Sequence, residues 1–382
     1  MTATGTATTT ATRRVAMLMV GLRYDGGAEA LVRTLIVEFD GLPYEVELFV
    51  LREVDAVKAK DFIDRGVAFR SFPAHRLVAP RRFLKLLRAI RAGSFDVIHT
   101  NLPSANILGM ACAALLRLPV VVTLHNTETK ADRHWYQGRL ETFMLRRLAD
   151  RVIAVGSQTA DARRKLLGNT PVHVLTNAVA NRQAPSADEL ARLRGDVMTD
   201  PSRRLFLTVG RLTEQKAHDD LLRAFAQVSE GRRDVELAIA GRGPLHDELS
   251  DQVEQLGLTG SAHLLGMRSD VRELMQAADV FVMSSHWEGL PVALLEAMQA
   301  GLPIVATGVG DVPDVLRGGC GTLIEPGDVE GLAKAMCASL DTDSPACGAA
   351  NRRVVQERYS SAAWAATMME HYEAAIAAHA RP

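Results

Sequence analysis

Short runs of β-branched and apolar residues alternate with stretches of helical period along the first half of the chain. Helical periodicity is clearest at Ala28–Phe39 and Phe83–Ile90, between the apolar runs. The apolar runs predict strands at Val15–Val20, Glu45–Val50, Val67–Phe72, Asp96–His99, Val120–Leu124, Arg151–Val155 and Val172–Leu175. Strands that alternate with helices in this way are typical of a parallel sheet with crossover helices.

The alternation stops between Asn181 and Arg203, where the composition turns polar and only a short helix around Asp188–Arg194 is predicted. A second series of strands follows at Leu205–Val209, Val235–Ala240, Ala262–Leu265, Val280–Met283, Ile304–Ala306 and Gly321–Ile324. The chain ends in an apolar-rich helical segment, Ala362–Ala378. We therefore predict an α/β protein with two Rossmann-like, doubly wound domains that face each other across a cleft.

Composition supports two ordinary globular domains. The 382 residues are 47% hydrophobic and 23% charged, which argues against a disordered chain. We expect residues 1–12 to form a disordered tail, residues 13–185 the first domain and residues 186–358 the second.

Because no secretory signal or long apolar segment is found, we expect a cytoplasmic protein. The four cysteines show no metal-binding spacing, so we expect them to be reduced thiols.

The two halves of the chain differ in charge. Residues 1–180 carry 25 Lys and Arg against 16 Asp and Glu, whereas the remaining residues carry 19 against 29. Either the first half faces an anionic partner, such as a membrane or a phosphorylated acceptor, or the difference is chance scatter.

The strand ends of the second half carry the main candidate chemistry. The sequence GRLTEQK (residues 210–216) follows one predicted strand, and there Arg211 and Lys216 could bind a diphosphate from two sides. Glycine-rich turns also follow two other strands, at residues 241–244 and 308–314, although such turns end many strands without binding a ligand.

A more specific element, EGLPVALLE (residues 288–296), follows the strand that ends at Met283. Pro291 suits the first position of a helix, whose free N–H groups and dipole could bind a phosphate. Glu288 lies just before that helix, where it could accept hydrogen bonds from sugar hydroxyls. Glu296 lies inside the helix among apolar residues, where a ribose diol would satisfy its carboxylate. No Asp-x-Asp pair is positioned to hold a metal on the diphosphate, so protein groups must neutralise the leaving group.

The first half offers weaker signals. The sequence GGAE (residues 26–29) follows the first strand and opens a helix, yet it is not a GxGxxG motif. His125 follows the strand Val120–Leu124, where it is either a ligand of a hydroxyl group or a structural residue.

Together these residues resemble glycosyltransferase family 4, a group of retaining enzymes with the GT-B fold, also called group 1 glycosyltransferases. The resemblance covers nearly the whole chain and is strongest at the element containing Glu288 and Glu296, in the context EGLPVALLEAMQAGLPIVAT. It implies that residues 359–382 cross back to the first domain. The usual Asn-Gly before the linker is replaced by Asn177-Ala178.

The resemblance implies roles for individual residues. Glu288, His125, Arg211 and Lys216 would be catalytic, and Glu296 would bind the ribose. The other donor-binding residues would be Gly27, Gly241, Arg268, Gly289, Leu290 and Pro291. Acceptor binding would involve Glu29, with Trp135 and Tyr136 able to stack on a sugar ring. No metal and no cofactor is expected.

We therefore expect a metal-independent, retaining hexosyltransferase. It would move a hexose or N-acetylhexosamine from a nucleotide diphosphate sugar, with UDP as the expected nucleotide, to a glycan, lipid-linked or small-molecule acceptor in glycoconjugate or polysaccharide biosynthesis. A nucleotide-sugar epimerase of the same fold and a non-catalytic nucleotide-sugar binding protein are the alternatives. The absence of a GxGxxG after the first strand disfavours a nicotinamide dehydrogenase.

A basic segment indicates a second partner. Five basic residues surround five apolar ones between Arg81 and Arg91, which is the pattern of a helix that lies on an anionic membrane. The same pattern also fits a crossover helix that packs its apolar side on the sheet and leaves its arginines in solvent.

Overall fold

The computed structural model describes residues 12–22, 27–52, 54–72, 80–125, 135–179 and 185–379. The chain divides into two compact units: unit 1 comprises Met1–Thr176 and Ser361–Pro382, and unit 2 comprises Asn177–Ser360. The predicted tail, residues 1–12, lies outside the described residues except for Thr12.

Unit 1 contains a seven-stranded parallel sheet. Its strands are β1 (Arg13–Met19), β2 (Tyr44–Val50), β3 (Ala68–Ser71), β4 (Val97–Asn101), β5 (Val120–Leu124), β6 (Arg151–Ala154) and β7 (Val172–Val174). The strand order is β3-β2-β1-β4-β5-β6-β7, so the direction of winding reverses between β1 and β4. The strand β5 is buried along its whole length, and β1 is buried from Val15 to Met19, which explains their apolar runs.

Helices cover both faces of this sheet. They are α1 (Gly27–Glu38), α2 (Ala56–Asp64), α3 (Pro80–Ala92), α4 (Pro103–Leu116), α5 (Trp135–Leu148) and α6 (Ser157–Leu167). Apolar side chains of α3, α4, α5 and α6 pack in one layer with alternate strand residues such as Ile98 and Val122.

Unit 2 contains a six-stranded parallel sheet with the order β10-β9-β8-β11-β12-β13. These strands are β8 (Arg204–Val209), β9 (Val235–Ala240), β10 (Ala262–Gly266), β11 (Val280–Met283), β12 (Ile304–Thr307) and β13 (Gly321–Ile324). Successive residues of a strand point to opposite faces, so Phe206 packs in one core layer and Leu207 in the other. The winding of this sheet reverses between β8 and β11.

The helices of unit 2 complete these two layers. They are α7 (Ala187–Val197), α8 (His218–Gly231), α9 (His246–Gln255), α10 (Val271–Ala277), α11 (Val292–Ala300), α12 (Val312–Leu316), α13 (Val329–Ser339) and α14 (Ser344–Arg358), with a 3₁₀ turn at Glu214–Lys216. Residues of α8, α9 and α13 pack on one face, and residues of α10, α11 and α14 pack on the other. A capping box at Ser186 and Glu189 begins α7.

The last helix, α15 (Ser361–His379), belongs to unit 1. Its Tyr372 is fully buried, and the Tyr372 hydroxyl lies 2.7 Å from Nδ1 of His99 on β4. Glu373 accepts hydrogen bonds from Arg13 at 2.8 Å and from the Tyr44 hydroxyl at 3.0 Å. These contacts fix α15 against the strands of unit 1.

The predicted α/β class with two doubly wound parallel sheets is confirmed. Each predicted strand is present, with ends that differ by two residues or fewer. Within the described ranges, no helix is long and apolar enough to cross a membrane.

The expectation of four reduced thiols is wrong for one pair. Cys320, directly before β13, and Cys347 on α14 form a disulfide, with their Cα atoms 5.1 Å apart. The carboxamide of Asn351 lies beside this disulfide and bonds to the backbone N–H and carbonyl of Cys320. Cys112 and Cys337 are free thiols. Since the paired cysteines lie 27 positions apart, their pairing depends on the tertiary fold and cannot be predicted from local spacing.

Candidate functional site

The loops after β8 and β11 meet where the winding of the unit 2 sheet reverses, which is the usual ligand site of a doubly wound sheet. The first loop carries Lys216 and the second carries Glu288. Nζ of Lys216 lies 2.5 Å from Oε1 of Glu288, and these side chains are 18% and 7% exposed. Two residues that lie 72 positions apart in the sequence therefore form a nearly buried ion pair.

Glu288 also accepts neutral hydrogen bonds. Oγ of Ser285 donates to Oε1 at 2.6 Å, and Nε2 of Gln215 lies 3.4 Å from Oε2. Because Oε1 already receives two donors, the orientation of the carboxylate is fixed before any ligand binds. The sequence motifs did not identify Ser285 or Gln215.

Further hydrogen bonds hold the two loops together. Oγ of Ser284 lies 2.9 Å from the carbonyl oxygens of both Lys216 and Ala217, and the N–H of His286 donates to the Gln215 carbonyl at 2.9 Å. Ala217 has a φ of +46°, an uncommon conformation for a residue with a Cβ. These contacts stabilise the turn that directs Lys216 towards Glu288.

Arg211 and the start of α11 lie in the same set of loops. The Arg211 side chain is exposed and forms no hydrogen bond or ion pair with the part of the chain that the structure describes. Likewise, no described residue accepts a hydrogen bond from the N–H groups of Gly289 and Leu290. Pro291 is the N-cap of α11, so its predicted place as the first helical residue is wrong by one position.

Backbone contacts hold the turn before α11. Nδ2 of Asn177 donates to the Leu290 carbonyl at 2.9 Å, and the Asp311 N–H donates to the Gly289 carbonyl at 3.1 Å. The side chain of Asn177 therefore supports this turn, a contact that its position in the sequence did not reveal.

Gly241 permits close contact between two strand ends. A Cβ at this position would lie 1.7 Å from the Gly210 carbonyl oxygen, and the Gly241 N–H donates to the Gly266 carbonyl at 2.8 Å. The Gly241 N–H is therefore hydrogen-bonded within the sheet. The group that Gly241 allows to come close is the protein backbone at Gly210. Arg268, expected to bind the donor, donates to both carboxylate oxygens of Asp270, at 2.9 and 2.7 Å.

Glu296, on α11, has a protein partner that the sequence did not reveal. Nε of Arg272 donates to Oε1 of Glu296 at 2.7 Å, and the Glu296 side chain is 14% exposed. The expectation that a ribose diol alone would satisfy this carboxylate is therefore incomplete.

In unit 1, Asn101 orients His125. Nε2 of His125 lies 2.9 Å from Oδ1 of Asn101, while Nδ2 of Asn101 donates to the sulfur of Met17 at 3.3 Å. Since the thioether can only accept, Oδ1 of Asn101 must face the imidazole, and His125 donates its Nε2 proton. Nδ1 is then the acceptor of the neutral ring. Burial lowers the pKa of His125 to about 4.

The other first-half candidates lie near helix starts. Gly27 is the first residue of α1, and Glu29 lies in the first turn of that helix. Tyr136, near the start of α5, is 51% exposed. The Trp135 side chain, Gly26 and the residues 126–134 that precede α5 lie outside the described residues. No group of three or more metal-ligating side chains is found in the described ranges.

Two family models match this chain. The model described as "Glycosyltransferase Family 4" matches residues 25–181, and the one described as "Glycosyl transferases group 1" matches residues 203–342. The second match includes Arg211, Lys216, Glu288 and Glu296.

Individual proteins are similar over most of their length. The putative glycosyltransferase EpsF of Bacillus subtilis is 32% identical over 311 residues, covering 77% of this chain and 78% of that protein. The phosphatidyl-myo-inositol mannosyltransferase of Mycolicibacterium smegmatis is 30% identical, covering 83% and 82%. The crystal structure of Anabaena HepE with UDP-glucose superposes with a TM-score of 0.82 at 21% identity, covering 94% and 99%.

Proposed function

The chain belongs to glycosyltransferase family 4 and has the GT-B fold, and we propose that it is a retaining hexosyltransferase. The proposed donor is a UDP-linked hexose or N-acetylhexosamine, and the proposed acceptor is a glycan, a lipid-linked sugar or a small molecule in glycoconjugate or polysaccharide biosynthesis. We propose UDP as the nucleotide of the donor because HepE, whose fold is similar to that of this chain, was crystallised with UDP-glucose.

The Lys216–Glu288 pair carries this proposal, because it lies beside groups that can bind a diphosphate. The Arg211 guanidinium and the Lys216 ammonium provide two positive charges, and the N–H groups of Gly289 and Leu290 provide neutral donors at a helix start. We propose that these groups neutralise the leaving diphosphate without a metal ion. In this proposal Glu288 would lie beside the donor sugar.

The environment of Glu288 favours a role in orientation over a role as a covalent nucleophile. Its Oε1 accepts hydrogen bonds from Lys216 and Ser285, and both bonds withdraw electron density from that oxygen. We propose front-face displacement, in which the acceptor attacks on the side of the leaving phosphate and that phosphate takes the acceptor proton. A glycosyl adduct trapped on Glu288 would contradict this mechanism.

We assign the remaining roles from the motifs of the first half. His125, neutral and with its Nδ1 as acceptor, would accept a hydrogen bond from a hydroxyl of the transferred sugar. Gly27 would approach the donor, while Glu29, Trp135 and Tyr136 would contact the acceptor.

A binding screen tests the donor site. We expect UDP, but not GDP or ADP, to raise the unfolding temperature in EDTA, because a ligand that binds only the folded state stabilises it. The shift should be smaller in Glu296→Ala and in Arg211→Ala, because each change removes a group that binds the nucleotide in our proposal. If no nucleotide diphosphate or nucleotide sugar shifts the wild-type protein, the proposed function is wrong and a degenerate site becomes the better account.

We also propose peripheral contact with an anionic membrane through α3. Leu86 and Ile90 are buried in the core of unit 1, so the apolar side of this helix is already used by the sheet. The five basic side chains Arg81, Arg82, Lys85, Arg88 and Arg91 are all exposed. On α5, which lies in the same helical layer, Leu140 and Phe143 are 42% and 60% exposed.

Flotation with lipid vesicles tests this contact. Wild-type protein should float with vesicles that contain phosphatidylglycerol and stay behind with phosphatidylcholine alone, because the attraction is electrostatic. A variant with Arg81, Arg82 and Lys85 changed to Gln should lose the flotation. Equal flotation of this variant and wild type would rule out α3 as the contact.

A further inference from the structure

Glu296 is held by Arg272 across two adjacent helices. Arg272 is the second residue of α10, and Glu296 lies in the middle of α11. The Nε–Oε1 distance is 2.7 Å, and the two side chains are 24% and 14% exposed. A carboxylate among buried leucines and alanines needs such a partner, because removing its charge from water is costly.

The ion pair leaves one side of each group available. Within the described part of the chain, Oε2 of Glu296 and the two terminal nitrogens of Arg272 have no hydrogen-bond partner, and none of these atoms is buried from solvent. An Arg that served only to neutralise a carboxylate would be expected to use two nitrogens in a bidentate pair, as Arg268 does with Asp270. The single bond through Nε instead fixes one oxygen and keeps the other accessible.

We propose that Arg272 is a positioning residue for ribose recognition. It fixes Oε1 of Glu296, so that Oε2 is directed to accept a hydrogen bond from a hydroxyl of the ribose diol. This inference rests on the proposed nucleotide diphosphate donor and adds to it a residue outside the Glu288–Glu296 element. It predicts that Arg272 controls the preference for a ribonucleotide over its 2′-deoxy counterpart.

Calorimetric titrations in EDTA test the proposal with UDP and 2′-deoxy-UDP, and with the corresponding GDP and ADP pairs. Wild type should bind the ribonucleotide about tenfold more tightly than the deoxynucleotide, because a hydrogen bond to a charged group is lost in the latter. In Arg272→Met the preference should fall to about twofold or less, with deoxynucleotide affinity nearly unchanged. Glu296→Gln should behave in the same way, and the double variant should lose nothing further.

Two more variants separate positioning from a structural role. Arg272→Lys keeps the charge but cannot reproduce the planar Nε contact, so its preference should be intermediate. Arg232→Met removes an exposed Arg–Asp pair elsewhere in unit 2 and should keep the full preference.

The possible results separate a failure of the proposed function from a failure of the inference about Arg272. If wild type binds none of the nucleotides, the proposed function and the inference are both wrong. If wild type prefers the ribonucleotide and Arg272→Met keeps that preference, the inference alone is wrong. If Arg272→Met weakens both nucleotides equally and lowers the unfolding temperature without ligand, Arg272 is only a structural link between α10 and α11.

Discussion

Glu288 and Lys216 carry opposite charges in a part of unit 2 with little access to water. Each of them compensates the charge of the other, and a diphosphate would offer Lys216 a second anionic partner. Removing one member leaves a nearly buried charge without a partner, whereas removing both leaves none. The pair should therefore show strong coupling in a mutant cycle.

We expect Lys216→Met to lower the free energy of unfolding by about 3 kcal/mol and the Lys216→Met/Glu288→Gln double variant to lose less than the sum of the single changes. Urea unfolding of the four proteins measures this. Lys334→Met, which removes an exposed pair with Glu330, should change the free energy of unfolding far less than Lys216→Met does, because water screens exposed ion pairs. Additive losses in the cycle would show that the pair is not coupled in solution.

Asn101 determines which nitrogen of the neutral His125 ring carries the proton. Replacing Asn101 with Asp places a carboxylate beside Nε2, which favours the charged imidazolium, so the pKa of His125 should rise well above its value of about 4. Nitrogen-15 NMR of the imidazole against pH measures this shift. In Asn101→Leu the pKa should stay low while the ring no longer shows a single tautomer. An unchanged tautomer in the Leu variant would contradict the assigned role of Asn101.

Among the secondary-structure elements, the ends of β8 and β9 lie close together because the residue that follows β9, Gly241, has no Cβ. Gly241→Ala would bring a Cβ against the Gly210 carbonyl and force these strand ends apart, so we expect a stability loss of about 2 kcal/mol or more and weaker UDP binding. Gly195→Ala is the matched control, because Gly195 lies in α7 with open space around it. It should stabilise the protein by about 0.5–1 kcal/mol. Equal effects of the two changes in thermal unfolding would contradict this account.

Strands and helices can be predicted from the sequence where the pattern that specifies them is local. The strands Val120–Leu124 and Val235–Ala240 were predicted with their observed ends, because central strands of a parallel sheet are apolar throughout and bounded by polar turns. The Glu288 element was found for a similar reason, since a glycine, a proline and two carboxylates at fixed spacing specify one helix start.

The partners of those residues were not predictable. Arg272 reaches Glu296 from another helix, and Asn101 reaches His125 from a neighbouring strand. Such contacts depend on strand order and on helix packing, which are set by the whole core and leave no local pattern. The Cys320–Cys347 pair was missed for the same reason.

Across the whole molecule, several buried imidazoles in the described part of the chain resist protonation. Burial lowers the pKa of His99 to about 3 and of His125, His218 and His371 to about 4. In the unfolded chain these groups have a pKa of about 6.5 and take up protons more readily. Their contribution to stability is therefore complete above about pH 6.5 and is lost as the pH falls from there towards 4.

Urea midpoints at pH 7, 6 and 5 measure this loss. The free energy of unfolding should fall by up to about 1.4 kcal/mol per pH unit for each imidazole that becomes protonated only on unfolding. His99→Gln should unfold more easily at pH 7 but show a shallower dependence on pH. A midpoint that stays constant from pH 7 to 5 would contradict the burial of these groups.

We propose that the protein transfers a sugar with retention at a site built around Glu288. Proton NMR of the sugar product formed from an α-linked UDP-sugar in EDTA, with water or an added sugar as acceptor, tests it most directly. We predict that the α-anomer appears first together with free UDP, and that Glu288→Gln forms neither above background. A β-anomer formed first, an epimerised free sugar, or equal turnover by Glu288→Gln would contradict the account.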